Sequence, residues 1–297
     1  MNNQDISLGG NIWQQSKVDE GAVERMALAY NLPQHLARLL CVRGVAFNEV
    51  NNFINPKVQN LMPDPYVLKD MQKAVERVAA AVMNGEKIGI IGDYDVDGAT
   101  STSELTKFFR QVGINPQIHI PSREEGYGPS DLAFGEFAAS DTKLVITIDC
   151  GTTAFDVLNR AAQNGFEIIV IDHHEAEAVL PAVYAVVNPK RLDEDNQYPY
   201  LEYMSAVGVG FMFLVALNRE LRNKGFYQSH TAPDLLKLLD LVALGTVCDV
   251  VPLLGLNRAY VRQGLKVMAQ QQNIGLKNLL KAAAVESAPS SYHLGFV

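Results

Sequence analysis

The chain has 297 residues, 48% of them hydrophobic and 20% charged, with a formal net charge of −8. That length is near the upper range of a single hydrophobic core, so one large domain with an appendage is expected. The composition fits a soluble globular protein, and no apolar run is long enough to span a bilayer. The acidic total weighs against a nucleic-acid partner, because such domains usually carry a basic surface. Acids neutralised by bound metal, or a local basic strip, would reconcile the two.

The opening MNNQDISLGGN lacks the basic and apolar regions of a secretory signal. Cys41, Cys150 and Cys248 form no CxxC pair and leave one thiol over under any disulfide scheme, which points to the reducing cytoplasm.

Residues 1–67 carry helical patterning without strands. GAVERMALAYNL and QHLARLLCVRG predict two amphipathic helices, the second stopped by Gly44. FNEVNNFINP predicts a third, ended by Asn55–Pro56, and MPDPYVL reads as a linker. Residues 68–297 form the second expected domain. There LKDMQKAVERVAAAVMNG predicts a helix, KIGIIG a buried strand and ATSTSELTKFFRQVG a helix again. QIHIPS, KLVITID, EIIVID and AYAVVNP predict four further strands, with TAFDVLNRAAQNG a helix between the third and fourth of the five. This alternation implies an α/β fold, a doubly wound and mostly parallel sheet.

Three largely helical stretches follow. SAVGVGFMFLVALNRELR is apolar, with Gly208 and Gly210 expected to let it approach the sheet. PDLLKLLDLVALGTVCDVVPL predicts a buried helix running into a turn at Asp249, and NRAYVRQGLKVMAQQQ an amphipathic one. The last residues, SAPSSYHLGFV, stop on an apolar run, which leads us to expect that the intact protein continues.

The chemistry gathers where strands end in acids. Asp93, Asp149 and Asp172 each close a strand, and ligands of parallel sheets collect at the strands' carboxyl ends. If IIGDYDVDGATS stays extended past Gly92, Asp93, Asp95 and Asp97 project to one side. Two unit charges about 4 Å apart cost roughly 4 kcal/mol at an effective dielectric near 20, so a divalent cation is the economical remedy. The His173–His174 doublet after Asp172 supplies nitrogen ligands. No GxxxxGK[ST], no GxGxxG after a strand and no GxSxG occurs, which removes support for a glycine-loop nucleotide site or a serine nucleophile.

What remains is Asp93, Asp95, Asp97, Asp149, His173, His174 and Asp249. Oxygen and imidazole ligands without thiolate suit Mn2+ or Mg2+. A two-metal site needs a bridging carboxylate, and Asp149, alone at its strand tip, is the candidate. We assign His173 to the metal and His174 to the scissile phosphate, so that His174 and Asp149 are the catalytic pair. The plainer alternatives are structural. Asp97 or Thr100 would cap the following helix, Asp172 would orient a histidine, and Cys150 and Cys248 would belong to the core. Acids from several separate segments favour the chemical reading: a metal-dependent hydrolase of phosphate esters.

GDYDVDG, the TIDCG around Asp149, DHHE at Asp172 to Glu175 and ALGTVCDVVPL around Asp249 resemble, in order, the motifs of the DHH phosphoesterase superfamily. Within it the chain is similar to the bacterial single-stranded-DNA exonucleases, in IPSREEGYG and RGVAFNEVNNFINP as well. The resemblance implies a parallel-sheet catalytic domain, Mn2+ or Mg2+, and 5′→3′ degradation of single-stranded DNA in repair and recombination. It implies that Asp93, Asp95, Asp97, Asp149, the histidine doublet and Asp249 form the metal site. Implied partners are single-stranded DNA, a single-strand-binding protein and a RecQ-type helicase. Arg123, beside the GYG turn, is our candidate for gripping substrate phosphate. The family's exonucleases continue into a second domain and an oligonucleotide-binding fold that are absent here, so hydrolysis by this chain is expected to be weak or absent and its strand polarity is not expected to survive. Two alternatives stand beside this reading: a DHH-type phosphodiesterase of short oligonucleotides, cyclic dinucleotides or pyrophosphate, and a non-catalytic interaction module.

Overall fold

Three helices open the chain: α1 (Glu20–Tyr30), α2 (Gln34–Val42) and α3 (Val50–Ile54). The computed structural model describes residues 9–12, 14–195 and 197–297, so most of the stretch read for a secretory signal lies outside the described residues. Asp19 caps α1 by accepting from the Gly21 amide at 2.9 Å, and Asn31 ends it in the left-handed conformation. Val23, Met26, Ala37, Leu40 and Val50 form their core. This unit ends at Pro56, and a second compact unit runs from Lys57 to Val297, a boundary ahead of the one at residue 67 expected above.

The second unit contains α4 (Val58–Leu61), α5 (Met71–Asn84), β1 (Ile88–Gly92), α6 (Val96–Gln111), β2 (Gln117–His119), α7 (Asp131–Ala139), β3 (Leu144–Ile148) and α8 (Phe155–Gln163). It continues through β4 (Glu167–Ile171), β5 (Ala185–Val187), α9 (Ala206–Asn223), α10 (Leu239–Cys248), α11 (Gly255–Met268), α12 (Ile274–Ala282) and α13 (Ser291–Phe296). The strands lie in the order β2-β1-β3-β4-β5, and every pair is parallel. Side chains alternate across a strand, so each strand feeds two layers. Ile88, Ile90, Ile146, Ile148, Ile169 and Ile171 pack with α5, α6 and α9. Ile91, Val145, Ile168 and Val170 pack on the other side with α7 and α8. The sheet is therefore doubly wound, as its alternating pattern implied. Strand order reverses between β1 and β3, which opens a crevice at their carboxyl ends.

Two sequence expectations need correction, and one helix carries no sequence expectation at all. The chain does not stay extended past Gly92: β1 stops there and α6 begins at Val96, with Asp95 as its N-cap. Asp93, Asp95 and Asp97 thus converge through a strand–turn–helix junction, not through strand alternation. The two glycines of α9 also differ. A Cβ on Gly210 would stand 2.4 Å from Glu104 Oε1 and 2.9 Å from Ile148 Cδ1 in β3, whereas the atoms nearest one on Gly208 belong to Met204, Tyr260 and Ser205, none closer than 3.4 Å. Gly210 is thus the glycine that the close approach to the sheet requires. Finally, α7 was not anticipated. Among the described residues no helix is long and apolar enough to cross a membrane.

Candidate metal centre

The site grows from the β1–α6 junction. Asp95 Oδ1 accepts from the Gly98 amide at 2.9 Å and starts α6. A Cβ on Gly98 would fall 2.5 Å from the Asp93 carbonyl oxygen, so only glycine lets the first turn fold back on the strand tip. That turn carries Asp97, which is buried. Its carboxylate accepts from the Ala206 and Val207 amides at 2.6 and 3.0 Å, capping α9 from outside that helix.

Asp149 follows β3 in the left-handed region at φ +62°, a conformation aspartate tolerates better than most residues. Its amide still donates to Ile171 O at 3.1 Å, so the ladder to β4 holds the turn. Asp249 is the C-cap of α10, and Val250 after it takes φ +59°. His173 lies among these acids. Its Nε2 is 3.3 Å from Asp149 Oδ1 and 3.8 Å from Asp97 Oδ2, and its Nδ1 is 3.6 Å from Asp249 Oδ2. Three sets of ligand atoms each lie within 4.8 Å of one another: Asp93/Asp95/Asp149, Asp97/His173/Asp249 and Asp149/His173/His174. Asp149 and His173 each belong to two of them.

Burial makes this crowding costly. It is the main cause that pushes the carboxyls of Asp93, Asp97, Asp149 and Asp249 up from the usual range, Asp149 to about 9. The charge of Asp95 is the next cause at Asp149. Asp93 Oδ1, Asp249 Oδ2 and both ring nitrogens of His173 are buried without a hydrogen-bond partner. Unpaired buried acceptors of oxygen and imidazole type fit bound divalent cations and fit no internal hydrogen-bond network. The thiols stay out of it. Cys150 packs in the core beside α7 and α8, and Cys248 donates to Leu294 O at 3.2 Å.

Asp172 has a different task. Its Oδ1 lies 2.7 Å from His174 Nδ1 and accepts from the His173 amide at 2.8 Å, while its Oδ2 accepts from the Thr152 amide at 3.0 Å. Burial opposes its ionisation, yet the hydrogen bonds from His174 and Thr152 outweigh burial and hold it at about 2. The same bond raises His174 to about 9, leaving an imidazolium at neutral pH. Arg123 is not among the clustered ligands: its guanidinium sits over the Tyr94 ring at 4.7 Å, between Asp93 and Asp95 in the chain.

Tyr127 was missed in the sequence, although its GYG turn was noted. Its hydroxyl donates to Asp149 O at 2.9 Å and lies 3.3 Å from His174 Nδ1 and 3.4 Å from Nε2, and its ring meets His174 edge-on at 5.8 Å. The loop that carries Arg123 and Tyr127 is pinned by His119. That ring bridges Glu125 at 2.9 Å and Glu136 of α7 at 3.0 Å, and the Ser130 hydroxyl also donates to Glu125. The contacts of Tyr127 with Asp149 and His174 reach 22 and 47 residues along the chain and leave no local pattern to read.

The model of the DHH family, N-terminal domain, matches residues 87–246, which contain all five strands and every clustered residue except Asp249. The chain belongs to the DHH family. Curated relatives extend the likeness beyond the DHH domain. The single-stranded-DNA-specific exonuclease RecJ of Bacillus subtilis (strain 168) is 35% identical over 271 residues, covering 91% of this chain and 32% of that protein. RecJ of Escherichia coli (strain K12) is 36% identical over 272 residues, covering 90% and 45%. The crystal structure of RecJ in complex with Mn2+ from Thermus thermophilus superposes on 95% of this chain and 38% of its own, with a TM-score of 0.74 and 28% identity. The chain thus spans less than half the length of each of these relatives.

Proposed function

We propose that this chain is the catalytic portion of a metal-dependent phosphodiesterase that degrades single-stranded DNA in repair and recombination, in the 5′→3′ direction that the family resemblance implies. The observation that carries the reading is the histidine-centred cluster: His173 stands within 3.8 Å of three buried or half-buried carboxylates from three separate segments. Asp93, Asp95, Asp97, Asp149, His173 and Asp249 would hold Mn2+ or Mg2+; Asp149 belongs to two of the ligand sets, as expected of the carboxylate read as the bridge. Bound ions of this kind activate water and neutralise charge on the reacting phosphate.

The chain's own groups supply the rest. His174, kept protonated by Asp172, donates to a phosphate oxygen and steadies its developing charge. Tyr127 fixes the backbone of Asp149. Arg123, laid on Tyr94, takes a strand phosphate. Residues 68–297 act as the catalytic domain, with 1–67 as a helical accessory segment. A single-strand-binding protein and a RecQ-type helicase would present the strand, in the cytoplasm.

The test is release of nucleotides from a labelled single strand by this chain with Mn2+, compared with a dinucleotide substrate. Mononucleotide release from the long strand is expected. Cleavage of the dinucleotide alone would replace this reading with that of a short-oligonucleotide phosphodiesterase.

A further inference from the structure

Asn188, directly after β5, is fully buried and lies outside the cluster of acids. Its Nδ2 donates to Thr152 Oγ1 at 2.9 Å and to the His174 carbonyl at 2.9 Å, and its Oδ1 accepts from the Lys190 amide at 2.8 Å. Thr152, also buried, donates its amide to Asp172 Oδ2, and Asp172 Oδ1 binds His174 Nδ1. The four residues close a ring: Asn188 to His174, His174 to Asp172, Asp172 to Thr152, and Thr152 back to Asn188. Its members come from the segments that follow three neighbouring strands, β3, β4 and β5.

The ring holds His174 at two points. Asp172 fixes the imidazole, and Asn188 fixes the backbone that carries it. A side chain that must meet a phosphate oxygen needs both, because a rotamer is only as well placed as its Cα. We infer that Asn188 is a positioning residue for His174: its amide donor, through the His174 backbone, sets where the imidazole meets the substrate. The inference rests on the phosphodiesterase reading for its substrate and on the ring alone for its geometry.

Asn188→Asp separates donor from size. It keeps the Oδ1 acceptor for Lys190 but turns an acceptor toward the His174 carbonyl. Turnover with Mn2+ and a labelled single strand should fall ~10- to 100-fold while Mn2+ affinity is kept. In a His174→Ala background the same change should cost nothing further. An equal loss in that background, or wild-type turnover in Asn188→Asp alone, would overturn the inference. A readout independent of activity is the imidazole ¹H–¹⁵N spectrum of the metal-free chain. The hydrogen-bonded Nδ1 proton of His174 should be present in wild type and shifted or lost in Asn188→Asp; an unmoved signal overturns the positioning role even if the chain cleaves no DNA. If Asn188→Asp does not fold, Thr152→Val removes one bond of the ring without adding a charge. It should move the same signal in the same direction, and no movement there has the same consequence.

Discussion

His173 is buried with neither ring nitrogen hydrogen-bonded, yet three carboxylates stand close to it. An imidazole buried there with both nitrogens unpartnered would cost desolvation with no return, so its surroundings make sense around a bound cation. Asp149→Ala should therefore abolish Mn2+-dependent cleavage while leaving the far-ultraviolet circular dichroism of the fold unchanged; full activity would remove its bridging role. Arg123→Ala should weaken single-strand binding more than Mn2+ binding, and the difference should shrink with added salt, as a phosphate contact requires. Equal strand affinity at low salt would count against it. Val250 is a β-branched residue at φ +59° with 86% of its surface exposed, so nothing it packs against offsets the strain. Val250→Asn should raise stability by about 1 kcal/mol in a thermal melt, since asparagine tolerates that conformation. At this scale the acids at strand tips were legible because an apolar run ending in aspartate is a local pattern. The bonds from Ala206 and Val207 to Asp97 cross more than a hundred residues, and Tyr127 reaches Asp149 and His174 only in the folded chain, so neither left a trace in the sequence.

Among the elements, α6 carries more than its length suggests. Its first turn brings Asp97 into the crevice, and the same carboxylate caps α9. Asp97→Ala should lose both functions: stability on the order of 1–3 kcal/mol from two unpaired buried amides, and metal binding with it. Chemical denaturation with and without Mn2+ checks both. Unchanged stability would mean that the α9 cap is dispensable. The helices flanking the sheet were mostly readable from their apolar stripes, but α7 was not. Gly135 interrupts its middle and Leu132 faces solvent with 58% exposure, so its apolar residues form no clean stripe despite buried Ala133, Phe134 and Phe137. The DYDVDG segment failed in the opposite way. Its alternation looked like a strand, but the capping bond from Gly98 to Asp95 and the absence of a Cβ at Gly98 turned it into a helix start.

For the molecule as a whole, the crowded acids make the metal-free fold sensitive to pH. Asp149 titrates near 3.8 when unfolded and at about 9 in the metal-free fold. Between those values the folded state holds a proton that the unfolded state has released, so stability falls as pH rises across that window. His174, raised from 6.5 to about 9, loses its own stabilisation over the upper part of the same range. Asp172, held at about 2, contributes fully throughout it. The melting temperature of the metal-free chain should thus decline from pH ~5 to ~9, and Mn2+ should reverse the decline by taking the proton's place. A flat profile would mean that the acids are not coupled to folding.

The most direct measurement is a calorimetric titration of Mn2+ into the chain near neutral pH, repeated on Asp149→Ala. Saturable binding of about two ions per chain, with proton release, and its collapse in the variant are the results expected. No saturable binding in the wild type, or an identical isotherm in the variant, would contradict the claim that these strand-tip acids converge to hold cations.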